Sequence, residues 1–167
     1  MRKGFFRIVL FAMAALLSAS PVFAAPAAPA KNTAAGTGEI DLEQYASEVL
    51  RLTNLEREKA GVSALSFDDE ALQKTSAVRA AEIMSLCSHK RPNGKNWYTA
   101  YHENEVKFRA AAENIAFGQS TPEEVMEAWM SSPGHKKNIT NKAYTKMGIS
   151  VMADSEGRLY WAQNFAG

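Results

Sequence analysis

The stretch that decides the fold runs from Ala112 to Ile139 and reads AENIAFGQSTPEEVMEAWMSSPGHKKNI. It predicts one short helix with a clear start, because Thr121 is a favourable N-cap residue and Pro122 suits the first helical position. Glu124 completes a capping box with Thr121. A Pro-Gly pair at 133–134 is expected to end the helix.

Chemically active side chains flank this helix on both sides. Glu113 and Asn114 precede it in apolar surroundings, and His135 follows it in a Ser-Pro-Gly-His segment that we interpret as a turn. If the chain doubles back, the carboxylate and the imidazole meet. Asn114 is interpreted as an amide that fixes a loop, because its side chain can cap backbone groups.

A second imidazole comes from upstream, where His89 lies in the loop CSHKRPNG at 87–94. Its neighbour Cys87 allows two interpretations. In an extended segment the two side chains point the same way, so Cys87 could be a nucleophile paired with His89. Alternatively, it is a small apolar residue at a helix end.

The N-terminal residues resemble an export signal. Three basic side chains precede an apolar run over 8–17, and Val22-Phe23-Ala24 offers the small residues that a signal peptidase reads. The run is shorter than the roughly 20 residues of a membrane span. We therefore predict a signal peptide at 1–24, a flexible Ala/Pro-rich linker at 25–38 and one folded domain at 39–167, in a protein that is secreted or held in the cell envelope.

Charge and cysteine content exclude some functions. Loss of the leader removes three of the 19 basic residues and leaves 16 against 18 acidic ones, a net charge of −2. Without a clustered positive face, nucleic-acid binding is not expected. Because Cys87 is the only cysteine, the chain cannot form an internal disulfide, and its stability must come from packing.

Periodicity predicts an α+β domain. We expect helices over 41–60 and 68–86, a short helix within 96–108, and a C-terminal hairpin whose strands are separated by a turn at 154–157. Asn54 and Arg57 share one face of the first helix. They are either a solvated surface pair or a pair that pins a neighbouring loop.

Several short motifs, in order, make the chain similar to the bacterial branch of the CAP superfamily, also called the SCP domain. The family includes cysteine-rich secretory proteins, venom allergens and pathogenesis-related proteins. The matching segments run from Leu52 to Gly167 and are Asn54-x-x-Arg57, Ser88-His89-x-Arg91-Pro92-x-Gly94, Glu113-Asn114-Ile115-Ala116-x-Gly118, Trp129-Met130-x-Ser132-Pro133-Gly134-His135-x-x-Asn138-Ile139 and Tyr160-Trp161-x-Gln163-x-Phe165.

The resemblance implies an α-β-α sandwich with a small, mainly antiparallel central sheet and a large open cleft. It also implies a cleft cluster of two histidines and two acids. His89 and His135 match the histidines and Glu113 matches the first acid, whereas the second acid falls near Ser132 and is absent. Asn54, Arg57, Asn114 and Ser132 are expected to support the site.

Two functions are open on this basis. The three side chains could hold zinc or a similar divalent cation, weakly bound, in a module that recognises a peptide, glycan or lipid. The alternative to a metal site is a hydrogen-bonded His-Glu-His cluster without a resident metal. The second function is a metal-assisted hydrolase, a peptidase or esterase, with Glu113 as the base.

Overall fold

The computed structural model describes residues 40–167. The predicted signal peptide at 1–24 and linker at 25–38 lie outside the described residues and stay predictions. Within 40–167 the chain forms five helices and three strands. In chain order these are α1 Leu42–Lys59, α2 Glu70–Ser85, α3 Thr99–Glu103, β1 Ala111–Phe117, α4 Pro122–Ser131, α5 Pro133–Ile139, β2 Lys146–Ala153 and β3 Leu159–Ala166.

The three strands form one antiparallel sheet in the order β1-β3-β2. The predicted hairpin is confirmed as β2 and β3, but the sequence did not predict its third partner, β1. Glu113 and Asn114 therefore lie on a strand and not in a loop, with Glu113 opposite Asn164 and Asn114 opposite Gln163. All eight residues of β3 are buried, because the strand is paired on both edges and covered on both faces.

Helices cover the two faces of the sheet, which confirms the α-β-α sandwich. Side chains alternate along β3, so that Trp161 and Phe165 enter one core with α1, α4 and α5. Tyr160 and Ala162 face the opposite side, where they pack against α2. The last residue of β3, Ala166, packs with Tyr101 of α3 on that same side.

Helix starts follow the sequence closely. Asp41, Asp69 and Thr121 are N-caps whose side chains accept from backbone N–H groups of the first turn. At α4, Thr121 Oγ1 accepts from the Glu124 amide at 3.2 Å. The Glu124 carboxylate reaches back to the amide of Ser120 at 2.7 Å, one residue before its expected capping-box partner.

The Ser-Pro-Gly-His segment is not a turn, and this prediction was wrong. Ser132 ends α4 with an extended backbone, and Pro133 begins α5 immediately afterwards. Proline ends a preceding helix, but it is also a favourable first residue of the next one, because its missing N–H would be unpaired there anyway. His135 consequently lies in the first turn of a new helix.

Arg57 and Asn54 hold the loops that surround α1, and they are not a solvated pair. Arg57 is only 1% exposed and donates to four backbone carbonyls, those of Ser63, Ile139, Asn141 and Tyr144, at 2.8–3.0 Å. Asn54 exchanges two hydrogen bonds with the backbone of Leu65, at 2.8 and 3.2 Å. Arg57 thereby ties α1 to the end of α5, which carries His135.

Candidate functional site

Glu113 forms a buried ion pair with Arg79 of α2. Both side chains are fully buried, and Arg79 Nε donates to Glu113 Oε2 at 2.6 Å while Nη2 donates to Oε1 at 3.1 Å. This two-point geometry is the strongest arrangement available to arginine and a carboxylate. Burial lowers the pKa of Arg79, but the hydrogen bonds that it donates to Glu113 and Glu82, together with their negative charges, outweigh burial and raise the pKa overall.

His89 completes this group at the surface. Its Nδ1 lies 2.9 Å from Glu113 Oε1, and its side chain is 54% exposed. Arg79 Nη2 also donates to the carbonyl of Ser88 at 2.8 Å, so it fixes the backbone beside the imidazole. The structure thus brings His89 and Glu113 into contact, through the Nδ1 side of the imidazole.

The second histidine is reached through a chain of amides. Asn114 Nδ2 donates to the carbonyl of His135 at 3.3 Å and to Gln163 Oε1 at 3.0 Å. Asn138, one turn along α5 from His135, donates to Asn114 Oδ1 at 2.9 Å. Asn114, on β1, therefore fixes the helix that carries His135, where the sequence predicted that it fixes a loop.

The two imidazoles share one electrostatic environment. Burial lowers the pKa of His135, and the charge of His89 lowers it further. His135 is thus held in its neutral form, which is the form that binds a metal ion. Ser132, where the family's second acid falls, lies between α4 and α5 and is half-buried.

The expected three-ligand metal site does not match the chemistry of Glu113. Its two oxygens accept from Arg79 and one of them also contacts His89, so the carboxylate is already engaged. Among the described residues, no group of three or more His, Cys, Asp or Glu side chains is arranged to hold a metal ion. Glu113 contacts only the Nδ1 side of the His89 ring.

The hydrolytic roles fit poorly. A base must reach the proton that it removes, and the Glu113 side chain is fully buried in its ion pair. Cys87 is exposed at the surface, but neighbouring atoms partly desolvate its sulfur, and this raises the pKa of the thiol. A raised pKa disfavours the thiolate that a nucleophile needs.

Arg79 is the site residue that the sequence reasoning missed. A signal was present, because Arg79 stands at helical spacing between Leu72 and Ile83, both fully buried. A charge on the buried stripe of a helix requires a buried partner of opposite charge. That requirement indicates a buried acid but does not identify it, because Glu113 lies 34 residues away in the chain.

Grooves also flank α1, away from the histidines. One of about 650 Å³ lies between α1 and residues 61–64, and one of about 490 Å³ lies between α1 and the start of α4. Neither is lined by His89, Glu113 or His135. Within residues 40–167, no helix combines the length and apolar character that a membrane span requires.

Comparison with known proteins identifies the family of this chain. A family model described as the cysteine-rich secretory protein family, CAP, matches residues 50–165. The chain is 34% identical over 145 residues to the uncharacterized protein YkwD of Bacillus subtilis (strain 168), which covers 86% of this chain and 55% of that protein. This chain therefore belongs to the CAP family, and it spans about half the length of that relative.

Solved structures share the fold at lower identity. An extracellular protein containing an SCP domain from Bacillus anthracis str. Ames aligns with a TM-score of 0.67 and 24% identity, over 74% of this chain and 40% of that one. An outer surface protein of Borrelia burgdorferi aligns with a TM-score of 0.69 and 21% identity, over 76% of this chain and 95% of that one.

Proposed function

We propose that this chain is an exported ligand-binding module in which His89 and His135 bind a divalent cation such as zinc, weakly. The observation that carries the proposal is the 2.9 Å contact between His89 and a carboxylate that Arg79 holds in place. A carboxylate on one ring nitrogen orients the imidazole and makes the other nitrogen a better ligand.

Two imidazoles are fewer than the ligands of a structural zinc site, which is usually closed by four protein side chains. Zinc held by His89 and His135 would keep positions for water or for an oxygen atom of the recognised molecule. We therefore expect modest affinity for the cation alone, and tighter binding when the ligand supplies the missing donors. A peptide, a glycan and a lipid headgroup all carry such oxygens.

Binding is favoured over hydrolysis because both oxygens of Glu113 already accept hydrogen bonds from Arg79. Glu113 would have to leave Arg79 to act as a base, which would break the ion pair between two fully buried side chains. A hydrolase that used the site would lose turnover in Glu113→Gln and with a chelator. We expect no chelator-sensitive turnover of peptide or ester libraries by the wild-type domain.

The proposal of export rests on the leader-like residues 1–24. It is in keeping with the extracellular and outer-surface relatives of the same fold. If it is right, the protein recovered from the medium or envelope begins at about Ala25, which N-terminal sequencing would show.

Calorimetric titration with zinc tests the site directly. We expect measurable heat with wild type and its loss in both His89→Ala and His135→Ala. His102→Ala is the matched control, because His102 is the remaining histidine and lies exposed on α3. Equal heats in the wild type and the two site variants would contradict the proposal, as would loss of heat in the control.

A further inference from the structure

The loop that carries His89, residues 86–98, has one apolar anchor, Trp97, which packs against the core beside Tyr101. Of its thirteen residues only Arg91 is buried, at 4% exposure, and most of the others are exposed. Trp97 is half-buried, and its ring packs edge-on against Tyr101 at 5.4 Å. A loop of this kind depends on polar contacts for its position.

Those contacts converge on Arg91. Its guanidinium donates to Thr99 Oγ1 at 2.8 Å, to Glu103 at 2.7 Å and to both oxygens of Glu82 at 2.8–3.1 Å. The backbone of the loop closes on itself, since the amide of Trp97 donates to the carbonyl of His89 at 2.9 Å.

Glu82 forms hydrogen bonds with both Arg79 and Arg91, which are buried. It accepts from Arg91 of the loop and, at 2.5 Å, from Arg79, which holds Glu113. Burial raises the pKa of Glu82, but the hydrogen bonds from both arginines outweigh it and lower the pKa. The Glu82 carboxylate on α2 thus links the loop that carries His89 to the ion pair of Arg79 and Glu113.

We infer that Glu82 is a positioning residue for His89: through Arg91 and Arg79 it sets the loop and the Glu113 carboxylate in one fixed relation. Glu82 contacts neither the imidazole nor a bound ligand, so it acts only through these two side chains. The inference deepens the proposed function and rests on it for its consequence, the affinity for zinc. Its structural part, the fixing of the loop, can be measured without any cation.

Two variants test the inference. Glu82→Gln keeps the size of the side chain but offers one acceptor oxygen where two arginines need two. Arg91→Lys keeps the charge but loses the planar fork that spans three partners. In both we expect hydrogen exchange of the Trp97 amide to accelerate at least about tenfold. The Thr145 amide, which bonds to Ala166, should exchange as in wild type.

Zinc affinity supplies a readout that a loss of stability alone would not change. In both variants we expect the zinc dissociation constant to rise by about 10- to 100-fold, the range for partners that orient metal ligands. Val49→Ala is the stability control, since Val49 is fully buried on α1, away from the loop. It should lower the melting temperature and leave zinc affinity unchanged.

The outcomes separate the two proposals. Unchanged exchange at Trp97 in both variants would overturn the role of Glu82. Faster exchange with unchanged zinc affinity would also overturn it, because His89 would then not depend on the loop. If wild type binds no zinc, the proposed function fails, and the exchange of Trp97 alone decides whether Glu82 fixes the loop.

Discussion

At the scale of single residues, two buried arginines organise this molecule. Arg79 pairs with an acid, whereas Arg57 pairs with backbone carbonyls, and burial lowers the pKa of Arg57. The sequence pointed to Arg57 because it shares a helix face with Asn54. It offered no partner for Arg79, because Glu113 is 34 residues away and only the packing of α2 on the sheet brings them together.

Arg79→Met should be strongly destabilising. It leaves Glu113 buried without a counter-charge, and removal of one member of a buried pair typically costs about 3–5 kcal/mol. Urea unfolding would measure the loss. Arg79→Met combined with Glu113→Leu should recover part of it, because no charge is then left unpaired. A single-variant cost below about 1 kcal/mol would show that water reaches Glu113.

Arg57→Lys should not be a conservative change. A lysine ammonium has three donors and no planar fork, so it cannot satisfy four carbonyls on two separate segments of the chain. We expect a loss of about 2 kcal/mol or more in the free energy of unfolding, since a hydrogen bond to a charged group contributes about 1.5–3 kcal/mol. Glu58→Gln, at an exposed position of α1, is the control and should change little.

At the scale of elements, long periodic segments were predicted well and the strand with the site was not. Helices α1, α2 and α4 have caps and apolar stripes that are visible in sequence. Strand β1 has Glu113 and Asn114 side by side, which breaks the apolar pattern typical of strands. Both are buried because β1 lies against β3, where Asn164 and Gln163 meet them with polar groups. That pairing is a long-range property.

Asp69→Asn separates helix capping from charge at the start of α2. Asparagine caps about as well as aspartate, so the bond to the Leu72 amide should remain. The ion pair with Lys146 at 2.9 Å is lost. Mainly through this hydrogen bond with Lys146, the pKa of Asp69 is lowered in the folded state.

The pH dependence of stability at acid pH should report the Asp69→Asn substitution. A lowered folded pKa gives stability that is present above the unfolded value of about 3.9 and is lost as the pH falls through the folded value. Asp69→Asn should therefore cost up to about 1 kcal/mol at pH 7, since Lys146 is partly exposed, and almost nothing at pH 2. Thermal unfolding across this range checks it. An equal cost at both pH values would assign the effect to the cap.

At the scale of the whole molecule, the family resemblance anticipated the sandwich, and the residues anticipated its hairpin. The expected three-ligand site stays a prediction, because the number of ligands depends on which groups already bind one another. Glu113 is available in sequence and engaged in the fold. The Glu113 carboxylate, which the sequence suggests as a ligand, binds Arg79 in the structure and contacts His89.

A chain that ends at Arg158 should lack the sheet altogether. β1 and β2 do not pair with each other, because each bonds only to β3. We expect such a chain to show no cooperative thermal transition by circular dichroism, whereas Thr121→Ala in the full chain should unfold cooperatively with a loss of about 1 kcal/mol. A cooperative transition in the truncated chain would show that the helices hold a core without β3.

The central position of β3 has a consequence for the order of events during biosynthesis. Both strand pairings of the sheet involve β3, which follows β1 and β2 in sequence. Neither pairing can form until β3 has been synthesised, so the sheet forms late and through contacts that are distant in sequence. Until then the nascent chain has no sheet to unravel. If the chain is exported as we propose, this late closure would leave it unfolded while it passes through the secretion channel.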